Sequence, residues 1–174
     1  GISHGDGAGA GFLADTHYAI PFMISGGGGV TANYAMGSST SSSFNDTNPA
    51  TSLTISSTAH SIVNCYWHVR DNITIDEVSW LWGADTATGD STAGHLMSFD
   101  VDIGNGSTSG DLSNGVVVAD GAAIAGSGYE QIYYQAMTVQ SADVSAGKVI
   151  MFIFASDTVN SDYSINVTVK YHIQ

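Results

Sequence analysis

Tyr163-Ser164-Ile165-Asn166-Val167-Thr168-Val169-Lys170-Tyr171-His172-Ile173 alternates without a break, apolar or aromatic at the odd positions and polar between them. Successive strand side chains point to opposite faces, so this period of two predicts a strand with one buried and one wet face. Upstream, Tyr129 to Val139 reads as a second strand with aromatic residues on both faces. Ile73 and Ile75 alternate in one phase, and Val78, Trp80 and Trp82 in the other. The slip at Asp76-Glu77 predicts a β-bulge or a tight bend. Further strands are expected at Tyr18–Ile24, Val30–Met36, Thr51–Ser57, His60–Val69, His95–Asp102 and Leu112–Val118. Helical stripes of apolar residues at i, i+3, i+4 and i+7 are nearly absent, and Gly interrupts the few candidates. Short strands separated by Gly/Ser/Asn/Asp turns predict an all-β sandwich or barrel.

The run Val149-Ile150-Met151-Phe152-Ile153-Phe154 departs from this alternation because every position is apolar. A strand apolar on both faces must be covered on both. In a two-layer sandwich the partner sheet covers one face, so the other is expected to meet a second subunit. Val149, Met151, Phe152 and Phe154 are therefore the expected interface residues. Residues 1–16 form a Gly-rich arm with Gly at positions 1, 5, 7, 9 and 11. Such a segment orders only when something holds it, which suits attachment. Residues 17–174 are expected to form one domain, and 26–29 and 37–43 to form loops. No secretory signal is expected in the residues as they stand.

The 174 residues hold 3 Lys+Arg against 16 Asp+Glu, a formal charge of −13. Only 11% are charged, under half the roughly 25% of an average soluble protein. Ser and Thr, 23 and 15 residues, stand in their place with 21 Gly. Nucleic acid is excluded as a partner, because affinity for phosphates comes from Lys and Arg. Anionic membrane surfaces are disfavoured on the same ground, and no apolar run is long enough for a transmembrane helix. The lone Cys65 permits no intrachain disulfide and is expected to be a buried, inert thiol.

The search for catalytic or metal-binding patterns yields little. His4, His17, His60, His68, His95 and His172 are scattered without ligand spacing. Asp100, Asp102 and, past Gly104-Asn105-Gly106, Asp111 make the one segment that suits calcium, a hard cation that prefers oxygen ligands. Gly104 stands at the third ligand position of an EF-hand loop and no Glu closes the loop, so a solvated acidic hairpin is the competing reading. No Gly-x-Ser-x-Gly elbow presents a nucleophile. Glu77 and Glu130 are the only glutamates, and nothing selects a glycosidase pair among the 14 Asp. No enzymatic activity is expected, and no cofactor beyond that calcium. Tyr66, Trp67, Trp80, Trp82, Tyr129, Tyr133 and Tyr134 are candidates for stacking on sugar rings, most of them expected in the core.

Val144-Ser145-Ala146-Gly147-Lys148, the apolar run, the turn Ser156–Asp162 and the closing strand together resemble the carboxy-terminal part of the jelly-roll heads of phage fibre and virion-surface proteins. More distantly they resemble the C1q/TNF-like fold. Gly147 matches the turn position, and Lys148 stands where those heads usually carry Asp. The resemblance extends over residues 60–174. It implies an antiparallel jelly-roll β-sandwich of about eight to ten strands with essentially no helix. It also implies a non-enzymatic homotrimer on a virion surface, outside the cell, acting as capsid decoration or fibre head. Its partners would be its own copies, other virion proteins and a host-surface glycan. The alternatives are a secreted carbohydrate-binding module or adhesin domain, and an extracellular filament subunit.

Overall fold

The computed structural model describes residues 18–26, 33–35, 43–44, 66–86, 91–101, 112–125, 129–156 and 163–174. Among the described residues there is no helix, and every strand pairing is antiparallel. The strands are β1 (Tyr18–Gly26), β2 (Asn33–Ala35), β3 (Ser43–Phe44), β4 (Tyr66–His68), β5 (Ile73–Thr86) and β6 (Ser91–Val101). They continue with β7 (Leu112–Asp120), β8 (Ile124–Ala125), β9 (Tyr129–Val139), β10 (Asp143–Val144), β11 (Val149–Ser156) and β12 (Tyr163–Ile173).

Pairing is nested. β1 pairs with β12, β4 with β11, β5 with β9 and β6 with β7, like one long hairpin rolled onto itself. Pairing of β12 with β5 and of β11 with β6 then gives two four-stranded layers, β1-β12-β5-β9 and β4-β11-β6-β7. This is the jelly-roll arrangement. β2 meets β11 beyond β4, and β3 extends that edge. The layers join where β7 meets β9, at Ala119↔Val139 and Asp120↔Thr138.

The period-two reading of β12 holds. Ile165, Val167 and Val169 are buried, with Val78, Trp80 and Trp82 of β5 on the same side. The phase slip also lands where the sequence puts it. Glu77 pairs with Lys170 and Ile75 with Tyr171, leaving Asp76 as the extra residue of a bulge. Facing these side chains across the sandwich are Leu96, Val118, Ala119, Ile150 and Phe152. Trp80 and Phe152 meet with ring centroids 5.3 Å apart and planes tilted by 48°. The layers approach closely there because Gly94 has no side chain. A Cβ on it would run into the Phe152 ring and lie 3.3 Å from Trp80 Cε2. Gly147 is a second glycine with a task. Its φ of 88° lies in the left-handed region, and its N–H donates to the Val69 carbonyl at 2.8 Å.

β11 is buried on both faces in the single chain. Ile150 and Phe152 face the core between the layers, while Val149, Met151 and Ile153 form a second cluster with Met97 and Phe99. All five β11 residues from Val149 to Ile153 are 4% exposed or less in the single chain. Val149, Met151 and Phe152, expected at an interface, are thus buried within the chain itself. The Phe154 side chain, the arm 1–16, Cys65 and the expected strand at 51–57 lie outside the described residues.

Candidate assembly surface

With Val78, Trp80 and Trp82 directed inward, alternation sends Ser79, Leu81 and Gly83 to the outer face of the β12-β5-β9 layer. Ser164, Asn166, Thr168 and Lys170 of β12, and Ile132, Tyr134 and Ala136 of β9, take the same face. Register sets Leu81 between Asn166 and Tyr134, and Gly83 between Ser164 and Ile132. Ile132 is 73% exposed, Tyr134 63% and Leu81 40%. These three apolar side chains adjoin on one open face. A Cβ on Gly83 would lie 2.9 Å from Ser164 Oγ and 3.6 Å from Ile132 Cγ1.

Lys170 of this face pairs with Glu77 at 2.7 Å. That bond, with a smaller contribution from Tyr134, raises the Lys170 ammonium above its ordinary value. Beneath the face, Gln135 turns inward. Its Oε1 accepts from the Trp80 indole N–H at 3.1 Å and its Nε2 donates to the Ala122 carbonyl at 2.7 Å. Trp82 stacks on Tyr133 at 5.0 Å, and Trp67 meets Tyr171 at 4.8 Å. Of the aromatic residues considered for sugar stacking, Tyr66 (51% exposed) and Tyr134 reach solvent, while Trp80 and Trp82 are core.

Asp100, the first of the three calcium candidates, is engaged by the chain itself. Lys148 Nζ donates to its Oδ1 and Asn114 Nδ2 to its Oδ2, the latter at 2.8 Å. Lys148 first and Asn114 second hold this carboxyl below the usual carboxylate range. Asp102 and Asp111 lie outside the described residues, and among the described residues no three His, Cys, Asp or Glu gather as a metal site. His95 is a core histidine, 7% exposed. Its Nδ1 lies 2.8 Å from an Asp120 oxygen, within ion-pair distance but without hydrogen-bond geometry.

Nothing local in the sequence groups Leu81, Ile132 and Tyr134. Leu81 follows from its parity with Trp80 and Trp82. The 129–139 strand carries aromatic residues on both faces, so its outward side shows only once β5 is paired beside it.

No protein family and no curated protein matches the chain by sequence. Among solved structures it is similar to a chain of infectious bursal disease virus Gx strain, at 9% identity and a TM-score of 0.35, over 91% of this chain and 36% of that one. The chain thus spans about a third of that neighbour's length. It is also similar to a chain of turnip yellow mosaic virus, at 9% identity and a TM-score of 0.24, over 91% and 81% of the two chains. Mud crab tombus-like virus follows at 13% identity and a TM-score of 0.23, over 91% and 81%.

Proposed function

We propose that this chain is a non-enzymatic structural protein of a virion surface, a jelly-roll head that assembles as a homotrimer and decorates the particle or tips a fibre. The observation that carries the reading is the exposed Leu81–Ile132–Tyr134 face on a jelly-roll layer. An interface core is apolar and enriched in aromatic residues, and exposed Leu81, Ile132 and Tyr134 have that character. Subunit contact is therefore assigned to the outer side of β12, β5 and β9, in place of the buried β11 run. Other virion proteins and a host-surface glycan are the further partners of this reading.

The test is electron microscopy of intact particles with a gold-labelled antibody against the folded chain. Label arrayed on the particle surface is expected. Confinement of the protein to the particle-free fraction would sink the reading. Glycan binding by a monomeric chain would favour a carbohydrate-binding module instead.

A further inference from the structure

Three adjacent strands deliver Lys148, Asp100 and Asn114 to one point. Val149 of β11 pairs with Phe99 of β6, which sets Lys148 beside Asp100, and Asp100 pairs with Ser113 of β7, next to Asn114. The amine and the amide then occupy the two oxygens of a single carboxylate. Two irregularities coincide here, and a plain Lys–Asp ion pair requires neither. The β6–β7 register slips between Ser98 and Asp100, and Asn114 takes a φ of 49°, uncommon for a residue other than glycine. Between them the Asn114 amide reaches Asp100 Oδ2 at 2.8 Å. The Lys148 side chain is 25% exposed and that of Asp100 44%, with Asn114 at the surface beside them.

We propose that Lys148 and Asn114 join in an intramolecular amide bond, with Asp100 as the catalytic residue that carries the proton. Nζ passes a proton to Oδ1 of Asp100 and, as a free amine, attacks Cγ of Asn114. The C–N bond to Nδ2 breaks, Asp100 returns a proton at Oδ2, where Nδ2 already sits, and the departing ammonia takes the second proton that Nζ sheds. Lysine ammonium and carboxamide become a secondary amide and an ammonium ion, so atoms and charge balance and no oxidant is needed. The bond ties the start of β11 to β7 across β6, a covalent staple in a chain whose single cysteine permits no intrachain disulfide.

Intact mass spectrometry of the purified full-length chain under denaturing conditions, followed over days at neutral and mildly alkaline pH, tests this directly. The expected result is a mass one ammonia below that of the sequence. In the peptide map, Lys148 should resist a lysine-specific protease and its peptide should be joined to the one containing Asn114. Asp100→Asn and Lys148→Arg should restore the full sequence mass. A wild-type chain that keeps its full mass overturns the proposal. So does a gain corresponding to conversion of the Asn114 amide to a carboxylate, which is ordinary deamidation at Asn114-Gly115. Loss of ammonia that persists in Lys148→Arg also overturns it, because the product is then a cyclic imide at Asn114.

Discussion

Replacing Gly94 by alanine probes the packing between the two layers most sharply. The new methyl would overlap the Phe152 ring at Cζ, lie 3.0 Å from Phe152 Cε2 and lie 3.3 Å from Trp80 Cε2. Neither ring has room to retreat. Phe152 is 0% and Trp80 1% exposed, and the Trp80 indole is tied to Gln135. Nor is β6 free to slide, since the Gly94 carbonyl accepts from Gly121 N–H at 3.0 Å. Overpacking a closed core costs typically 1–3 kcal/mol, and this site belongs near the top, at about 3 kcal/mol. For a domain of this size each kcal/mol lowers Tm by about 2–4 °C, so a drop of about 6–12 °C is expected. Urea unfolding followed by tryptophan fluorescence should show a lower midpoint at unchanged m. Phe152→Leu should relieve part of the clash, so that the double variant loses less than the sum of the singles. A loss under about 0.5 kcal/mol, the range of surface substitutions, would refute the reasoning, as would strict additivity.

Gln135→Ala leaves the buried Trp80 indole N–H without its partner and should cost about 1–3 kcal/mol in the same urea titration. Gly147→Ala meets nothing within 4 Å, so only its left-handed backbone should be felt, at about 1–2 kcal/mol. Glu77→Gln addresses alkaline pH. The Lys170 value is raised on folding, so the pair stabilises the fold fully below the unfolded value of about 10.4, and that contribution is lost as pH rises through the higher folded value. Urea midpoints of wild type and Glu77→Gln should therefore differ at neutral pH and converge in strong alkali; a constant gap would contradict the assignment.

Much of this fold is legible in single residues. The alternation through Ile165, Val167 and Val169 marks the buried face of β12, and the phase change around Asp76 marks the bulge, because period-two burial leaves no other way to keep Ile75 and Val78 both inside. Gly147 is legible as a turn for want of a Cβ. The β11 run is only half legible. Its composition demands two covers, but nothing local says whether the second comes from the same chain. The short pairing of β10, Asp143–Val144, with β5 is too brief to leave a period. The exposed apolar face is the least legible part. Leu81, Ile132 and Tyr134 belong to strands distant in sequence, and their adjacency exists only in the β5–β9 register. Asn114 is hidden for a related reason, since its left-handed φ arises where two strands fall out of step.

The account turns on the outer face of β12, β5 and β9 as the contact between copies. Light scattering coupled to size-exclusion chromatography, on wild type and Ile132→Asp at micromolar concentration, tests this most directly. Ile132 is 73% exposed, so aspartate should be harmless to the isolated chain. In an assembled interface it would place an unpaired charge against apolar surface, which costs several kcal/mol. The account predicts a trimeric mass for wild type and a monomeric mass for Ile132→Asp, with circular dichroism unchanged. A monomeric wild type, or a trimer indifferent to the aspartate, would contradict it.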